Sequence, residues 1–232
     1  MPEPTRRRQV VVVVAFALIV IAAAGLVWLE TCEDNQPADT AVAQEATNDN
    51  PAVSEPDCRS VLRVPAGEDG DHIDDEPITY PAPPSFGDHR SHWQVRAASF
   101  YDVDSRPDVA VLVHNLEHGY NILWYDQTVA DDEDALALVR EIADGYAGLD
   151  GAPDPATGFI AAPWTAGDGD AFPAGMHYAL THWYADPHDR TRSRSDEVGL
   201  TRYCADVNAE TVQSWMDHYP LTNAPEGYPD LM

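Results

Sequence analysis

The stretch Asp108-Val-Ala-Val-Leu-Val-His-Asn-Leu-Glu-His-Gly-Tyr-Asn-Ile-Leu-Trp-Tyr125 places two histidines and a glutamate between two apolar runs. The first run, residues 109–113, is apolar and mostly β-branched, which favours a strand covered on both faces. The second run, residues 120–125, predicts another strand. Gly119 permits a sharp turn between them, because glycine adopts backbone angles that cost other residues energy. We therefore expect a strand-turn-strand unit that holds both imidazoles as a metal or proton site.

The segment His114-Asn-Leu-Glu-His118 also fits the pattern H-x-x-E-H of the inverted zinc peptidases, in which both histidines bind zinc and the glutamate activates water. That chemistry needs a helix, so that residues four apart lie on one face. The β-branched flank and Gly119 favour the strand-turn-strand interpretation instead. Glu117 is then expected to orient an imidazole or to be a ligand itself, and it is the catalytic candidate if the protein is an enzyme.

The charge balance excludes one class of partner. The chain has 13 Lys+Arg against 40 Asp+Glu, a net charge of -27. Such a surface repels phosphate backbones, so we expect no binding of nucleic acid. A solvated acidic surface is the simplest explanation, and an oxygen-ligand calcium site in the acidic loops is a lesser alternative.

The N-terminal segment predicts a membrane anchor. Residues 10–29 carry no charge and are long enough, at ~1.5 Å per residue, to cross a hydrocarbon core of ~30 Å. Arginines at positions 6–8 keep residues 1–9 in the cytoplasm by the positive-inside rule. A cleaved signal peptide, or a lipoprotein modified at Cys32, fits the flanking residues less well. We expect a single-pass protein of the cell membrane, attached through this signal anchor, with its C-terminal part outside the cytoplasm.

The remainder predicts a tether and one folded domain. Residues 30–56 are acidic and poor in large apolar side chains, which is typical of a disordered linker. Residues 57–232 predict an extracytoplasmic α+β domain with a mostly antiparallel sheet of about five short strands. A long amphipathic helix over 131–146 is expected to pack on the sheet, and a C-terminal helix over 209–219 is expected to start after Asn208. Further predicted strands lie at 60–65, 94–101, 158–163 and 176–184.

The other predicted loops connect these elements. Residues 79–93 cannot be helical, because their prolines remove backbone donors and fix φ; this loop carries His89 and His92. Residues 186–197 predict a charged loop, and residues 225–232 a loose tail.

The cysteines indicate an oxidised structure and argue against a thiolate metal site. Cys58 and Cys204 lie near the two ends of the predicted domain, where an oxidising compartment permits a disulfide. Two unpaired buried thiols remain the alternative, because sequence does not show that their Cα atoms approach. No Cys-x-x-Cys pair exists, so a bound metal is expected to be held by imidazole.

Histidines are concentrated in the same region. Five of the nine fall within 47 residues: His72, His89, His92, His114 and His118. Imidazole binds copper and zinc well, which makes either ion the expected cofactor. For isolated histidines such as His182, His188 and His218, a hydrogen-bonded structural role is the simpler explanation.

Several motifs resemble the bacterial membrane-anchored family DUF3105, a domain of unknown function, over about residues 57–228. The matching segments are Tyr80-Pro, Pro83-Pro-Ser-Phe-Gly-Asp-His89, Trp93, Val113-His-Asn-Leu-Glu-His-Gly119, Trp124-Tyr125 and, more loosely, Pro225-Glu226. The chain departs from the family at Ser85, Phe86 and Asp88, where the family has Thr, Ser and Pro, which leaves the shape of that loop open but not the position of His89.

The resemblance implies an extracytoplasmic domain in which four histidines converge, and it brings no established activity. Those histidines are His72, His89, His114 and His118, with Met176 or His177 as a further metal ligand from a neighbouring strand. The leading hypothesis is therefore transition-metal binding, by copper or zinc, for handling or sensing.

Two alternatives stay open, and the protein partner is not identified. A metal-dependent hydrolase would need a helical segment over 114–118, with Glu117 as the base. A non-catalytic envelope interaction module would use its histidines only to satisfy a polar core. In that case His114 and His118 would bond to backbone and lie too far apart to share an ion.

Overall fold

A mixed five-stranded sheet forms the centre of the part of the chain described by a computed structural model, residues 57–67, 69–92, 98–148, 157–189, 191 and 193–227. The strands are β1 Leu62–Pro65, β2 Asn121–Tyr125, β3 Phe159–Pro163, β4 Tyr178–Tyr184 and β5 Val198–Cys204. Their order is β1-β5-β4-β2-β3. The β2–β3 pair is parallel and the other pairs are antiparallel.

Helices cover both faces of this sheet. Within the described residues they are α1 Val109–Glu117, α2 Gln127–Ala130, α3 Glu133–Asp144 and α4 Ala209–His218, with a short 3-10 turn at Arg194–Asp196. Side chains alternate along β2, so Ile122 and Trp124 join a core with α1, whereas Leu123 and Tyr125 join a second core with α3 and α4. The fold is therefore α+β with helices on both sides of a mixed sheet.

The predicted strand over 109–113 is wrong, because these residues form most of helix α1. The helix begins after Asp108, whose carboxylate accepts a hydrogen bond from the backbone N–H of Ala110 at 3.1 Å. All nine residues of α1 are buried. A helix buried on every side shows the same unbroken apolar run as a buried strand, so the period that separates the two is absent.

Helix α1 ends in a glycine turn of the Schellman type. The N–H of Gly119 donates to the carbonyl of Leu116 at 2.9 Å, and the N–H of Tyr120 donates to the carbonyl of Asn115 at 3.0 Å. Gly119 has φ of 89°, which side chains disfavour, and a Cβ there would lie 2.2 Å from the carbonyl oxygen of Leu221. The sharp turn expected at Gly119 is therefore present, but it joins a helix to β2.

Most of the other predicted elements are confirmed. Strands β1, β2, β3 and β4 and helices α3 and α4 lie within their predicted ranges, and the side chain of Asn208 caps α4 through the N–H of Thr211 at 2.8 Å. Strand β5 was not predicted. Of the strand expected over 94–101, residues 94–97 lie outside the described chain, and Phe100 makes only an isolated bridge to Ala161.

A disulfide joins Cys58 to Cys204 across 146 residues of sequence. It ties the segment before β1 to the last residue of β5, next to a backbone hydrogen bond from Arg59 to Tyr203 of 2.8 Å. The start of the domain is therefore fixed to the sheet covalently as well as by strand pairing.

The expected cytoplasmic residues 1–9, signal anchor 10–29 and linker 30–56 lie outside the described residues. Among the residues that are described, none of the helices has the length and apolar character needed to cross a membrane.

Candidate metal centre

Two loops bring His72 and His89 side by side. The two residues form an isolated parallel bridge, in which the N–H of Ile73 donates to the carbonyl of His89 at 2.7 Å. The N–H of His89 donates in turn to the carbonyl of Asp71 at 3.0 Å. This pairing fixes the backbone under both imidazoles, whose ring centroids are 4.7 Å apart.

Asp88, one of the residues that depart from the family motif, fastens these loops together. Its carboxylate accepts hydrogen bonds from the N–H groups of Gly70 at 3.0 Å and Asp71 at 2.9 Å. The hydroxyl of Tyr80 donates to the backbone carbonyl of the same aspartate. The changed motif therefore still holds His89 in place.

Arg90 connects the loops to helix α1. Its guanidinium donates to the carbonyls of Ile73 and Glu76, both at 2.8 Å, and lies 3.2 Å from the carboxylate of Asp108 that caps the helix. Its own carbonyl accepts a hydrogen bond from Nδ1 of His114 at 2.6 Å. The first turn of the helix, the loop and one imidazole thus form a single network.

Three imidazoles converge on one carboxylate oxygen. Oε2 of Glu117 lies 3.1 Å from Nε2 of His89. The same oxygen lies 3.7 Å from Nε2 of His72 and 3.7 Å from Nε2 of His114. Ligands placed 2.0–2.1 Å from a tetrahedral metal are separated from each other by roughly 3.3 Å. The four side chains thus have the spacing of a metal-ligand set.

Hydrogen bonds direct two of the imidazoles toward this point. Nδ1 of His89 donates to the carbonyl of Gly87 at 2.8 Å, and Nδ1 of His114 donates to Arg90. A proton kept on Nδ1 makes Nε2 the nitrogen that would give up its proton and offer a lone pair when a metal binds. Both rings are therefore oriented by backbone carbonyls, as metal-binding histidines usually are.

Burial and charge set the protonation of the cluster. Burial disfavours the imidazolium of His89, but its hydrogen bonds to Glu117 and Gly87 outweigh that effect and raise the pKa of His89. Burial would raise the pKa of Glu117, yet the hydrogen bond and charge of His89 lower it. Burial lowers the pKa of His114 to about 4, so this imidazole is neutral at neutral pH.

The cluster is closed on most sides and open on one. The side chain of His89 is fully buried and that of Glu117 is 8% exposed, whereas the side chain of His72 is 48% exposed. A small ion can therefore approach from the solvent on the side of His72. Trp183 covers His89, with the two ring centroids 5.9 Å apart.

His118 does not join this group of four. Its ring stacks on that of His114 with centroids 4.9 Å apart, and its Nε2 lies 3.7 Å from Oε2 of Glu226. His118, Glu117 and Glu226 form a second set of three side chains with the spacing of metal ligands. Burial lowers the pKa of His118 as well.

The structure does not bring Met176 or His177 to the cluster. Met176 lies two residues before β4 and packs against the core on the side of α1, whereas Trp183, near the other end of β4, covers His89. Seven residues of extended chain span about 23 Å, which is far too long for a shared ion. His177 instead lies 2.9 Å from the carboxylate of Asp126.

Glu226 is the site residue that the sequence reasoning missed. The sequence predicts a loose tail over 225–232, yet the N–H of Glu226 donates to the carbonyl of Glu117 at 2.9 Å. The one signal was the motif Pro225-Glu226 near the end of the family resemblance.

Comparison with known proteins confirms that resemblance. The model of the family described as "Protein of unknown function (DUF3105)" matches residues 72–229, more than half of the chain, so the chain belongs to this family. No curated protein and no solved structure matches it.

Proposed function

We propose that this member of the DUF3105 family binds a divalent transition metal, zinc foremost, through His72, His89, His114 and Glu117. The observation that carries the proposal is the convergence of three Nε2 atoms on one oxygen of Glu117, at 3.1, 3.7 and 3.7 Å.

The chemistry of the donors supports zinc over copper(I). Three imidazole nitrogens and one carboxylate oxygen form a ligand set that zinc accepts in tetrahedral sites. Copper(I) prefers thiolate or thioether sulfur, and Met176 lies at the wrong end of β4 to supply it. Copper(II), which accepts imidazole and carboxylate, is the competing ion that a titration must include.

The number of protein ligands supports retention of the metal over turnover. Zinc sites with four protein ligands are typically closed, whereas catalytic sites keep one position for water or substrate. If Glu117 is a ligand, the first coordination sphere is complete. We therefore favour a role in holding, delivering or sensing the ion.

A metal-dependent hydrolase is the second candidate, because His114 and Glu117 lie on a helix beside His72 and His89; His118, the second histidine of the H-x-x-E-H pattern, belongs to the other set. In this version His72, His89 and His114 would hold the ion, a bound ion would supply an acidified water, and the carboxylate of Glu117 would accept the proton from that water. The variant Glu117→Gln separates the two candidates. Loss of metal affinity supports the ligand role, and retained metal with lost hydrolytic activity supports the base role.

We also propose that the domain acts outside the cytoplasm, tethered through residues 10–29. The disulfide between Cys58 and Cys204 supports this location, because disulfides persist in oxidising compartments. Protease accessibility in intact cells tests it, since digestion only after lysis would contradict an outside location.

The metal proposal is tested on the full-length protein in detergent, stripped with chelator and reloaded with zinc or copper(II). We expect tight zinc binding that His89→Ala weakens by at least ~10-fold. His177→Ala is the matched control, since that histidine lies outside the cluster and should leave affinity unchanged. A folded wild-type protein that binds neither ion above the level of His89→Ala would favour a non-catalytic interaction module.

A further inference from the structure

We propose that Glu117, His118 and Glu226 form a second metal position, so that the carboxylate of Glu117 bridges a pair of divalent cations. This inference rests on the proposed function, because it adds a neighbour to the first metal. It also gives His118 and Glu226 a role that the set of four ligands leaves unexplained.

The geometry of the two sets carries the inference. In the first, ligand atoms of His72, His89, His114 and Glu117 all lie within 4.8 Å of one another, and in the second, those of Glu117, His118 and Glu226 do so as well. Only Glu117 belongs to both. A carboxylate has two oxygens, so one residue can serve two ions at once.

The spacing along helix α1 suits two adjacent ions. The rings of His114 and His118 are 4.9 Å apart and nearly parallel, at 13°. Each ring serves a different set, so the two metal positions lie beside each other at the end of the helix. Protein two-metal centres place their ions ~3.5–4 Å apart. The helix spacing of four residues is therefore compatible with such a pair.

The chain beyond α4 holds Glu226 in position by backbone contacts. The carbonyl of Asn223 accepts hydrogen bonds from Nε2 of His182 at 3.1 Å and from the N–H of Ala185 at 2.9 Å. The N–H of Glu226 donates to the carbonyl of Glu117 at 2.9 Å, directly at the end of α1. The backbone at Glu226 is thus fixed relative to the carboxylate that it would share an ion with.

The second position should be the weaker of the two. It has one nitrogen and two carboxylates, one of them shared, and the side chain of Glu226 is 49% exposed. Such a nitrogen and oxygen set suits zinc or manganese(II) rather than copper(I). We expect a tight first ion and a weaker second ion.

The test is a zinc titration of the chelator-stripped full-length protein. Calorimetry measures the affinities, and metal analysis measures the number of bound ions. The expected result is two zinc ions per chain in two affinity classes. Glu226→Gln and His118→Ala should each weaken the second class at least ~10-fold and leave the first within a few-fold. Glu210→Gln, which changes an exposed acid on α4, is the charge-matched control and should keep both classes.

The possible outcomes separate the two proposals. One zinc per chain, unchanged by Glu226→Gln, overturns the second position and leaves the proposed function standing. A weak class that survives both Glu226→Gln and His118→Ala is adventitious binding to the acidic surface and also overturns it. No zinc bound to the folded wild type contradicts the proposed function itself.

A magnetic measurement checks the distance independently. Protein loaded with two manganese(II) ions should give an exchange-coupled electron paramagnetic resonance spectrum, because bridged ions ~3.5–4 Å apart interact. Glu226→Gln should convert it to the spectrum of isolated manganese. If the wild type loaded with two manganese(II) ions gave the spectrum of isolated ions, the proposal that Glu117 bridges them would be wrong.

Discussion

Nε2 of His89 lies 3.1 Å from Oε2 of Glu117, and this contact joins a loop to the last residue of helix α1 inside the protein. The imidazole is fully buried and the carboxylate nearly so. Because the pair connects two parts of the chain 28 residues apart, it bears on stability as well as on metal binding.

Removal of His89 should destabilise the metal-free protein. The variant His89→Ala leaves the carboxylate of Glu117 buried with only more distant partners, and breaking a buried pair costs about 3 kcal/mol. Urea unfolding in chelator measures the change. The control His177→Ala breaks a half-exposed pair and should cost less than about 1 kcal/mol. If both variants lost the same free energy of unfolding, the buried contact would contribute no more to stability than the half-exposed one.

The turn at Gly119 should tolerate no side chain. Gly119→Ala combines a φ of 89° with a Cβ only 2.2 Å from the carbonyl of Leu221. Gly175 has φ of 78° but nothing within 4 Å of an added Cβ, so Gly175→Ala isolates the backbone cost of about 1–2 kcal/mol. We expect Gly119→Ala to lose clearly more stability than that in thermal unfolding. Similar losses would mean that the segment at Leu221 moves away freely.

The ion pair of Arg106 and Asp168 should make stability depend on pH in the acid range. The two side chains are 14% and 11% exposed and approach to 2.7 Å. Burial would raise the pKa of Asp168, but hydrogen bonds from Arg106 and Thr165 outweigh it and lower the pKa. A carboxyl with a lowered folded pKa adds stability above its unfolded pKa of ~3.9 and loses it as the pH falls through the folded value.

Asp168→Asn therefore tests this pair. The variant should be less stable than wild type by about 1–3 kcal/mol at pH 7. The difference should begin to shrink below about pH 4, where the carboxyl becomes protonated in the unfolded chain while the folded wild type still holds it ionised. Urea midpoints from pH 7 to 3 provide the measurement. A difference that stays constant over this range would exclude a contribution from ionisation.

Reduction of the disulfide should lower stability markedly. Cys58 and Cys204 are 146 residues apart, and closing so long a loop restricts the unfolded chain, which typically gives about 2–5 kcal/mol. The urea midpoint should fall when reductant is added to wild type. The double variant Cys58→Ser/Cys204→Ser should have the urea midpoint of reduced wild type, with or without reductant. A change of that variant's midpoint on adding reductant would show that the effect does not come from this disulfide.

The sequence predicted most elements, and its failures have physical causes. The sequence predicts a strand over 109–113 instead of helix α1, because burial on all sides removes the helical period from these residues. The sequence does not predict strand β5, because Gly199 and Arg202 interrupt its apolar pattern. A Cβ at Gly199 would lie 2.1 Å from the ring of Phe86, so this glycine reflects a close approach that only the folded chain reveals.

The candidate site shows the same limit. The histidine motifs named three members of the first set, and His114 and Glu117 share a segment whose spacing is visible in the sequence. Glu226 lies 108 positions after His118, and no local pattern relates the two. Met176 is expected to reach the cluster from the predicted strand over 176–184, but Met176 precedes β4 and lies at the end of that strand far from Trp183 and His89.

The contact between Glu226 and the end of α1 also has a consequence for biosynthesis. A ribosome releases the four members of the first set long before it reaches residue 226, because the chain is made from its N-terminus. An ion bound before residue 226 is made would find the first proposed position complete and the second without Glu226. Proteolytic removal of the segment that contains Glu226 would return the finished protein to that state. Occupancy by a second ion would thus report that the last segment of the domain has been made, folded and kept intact.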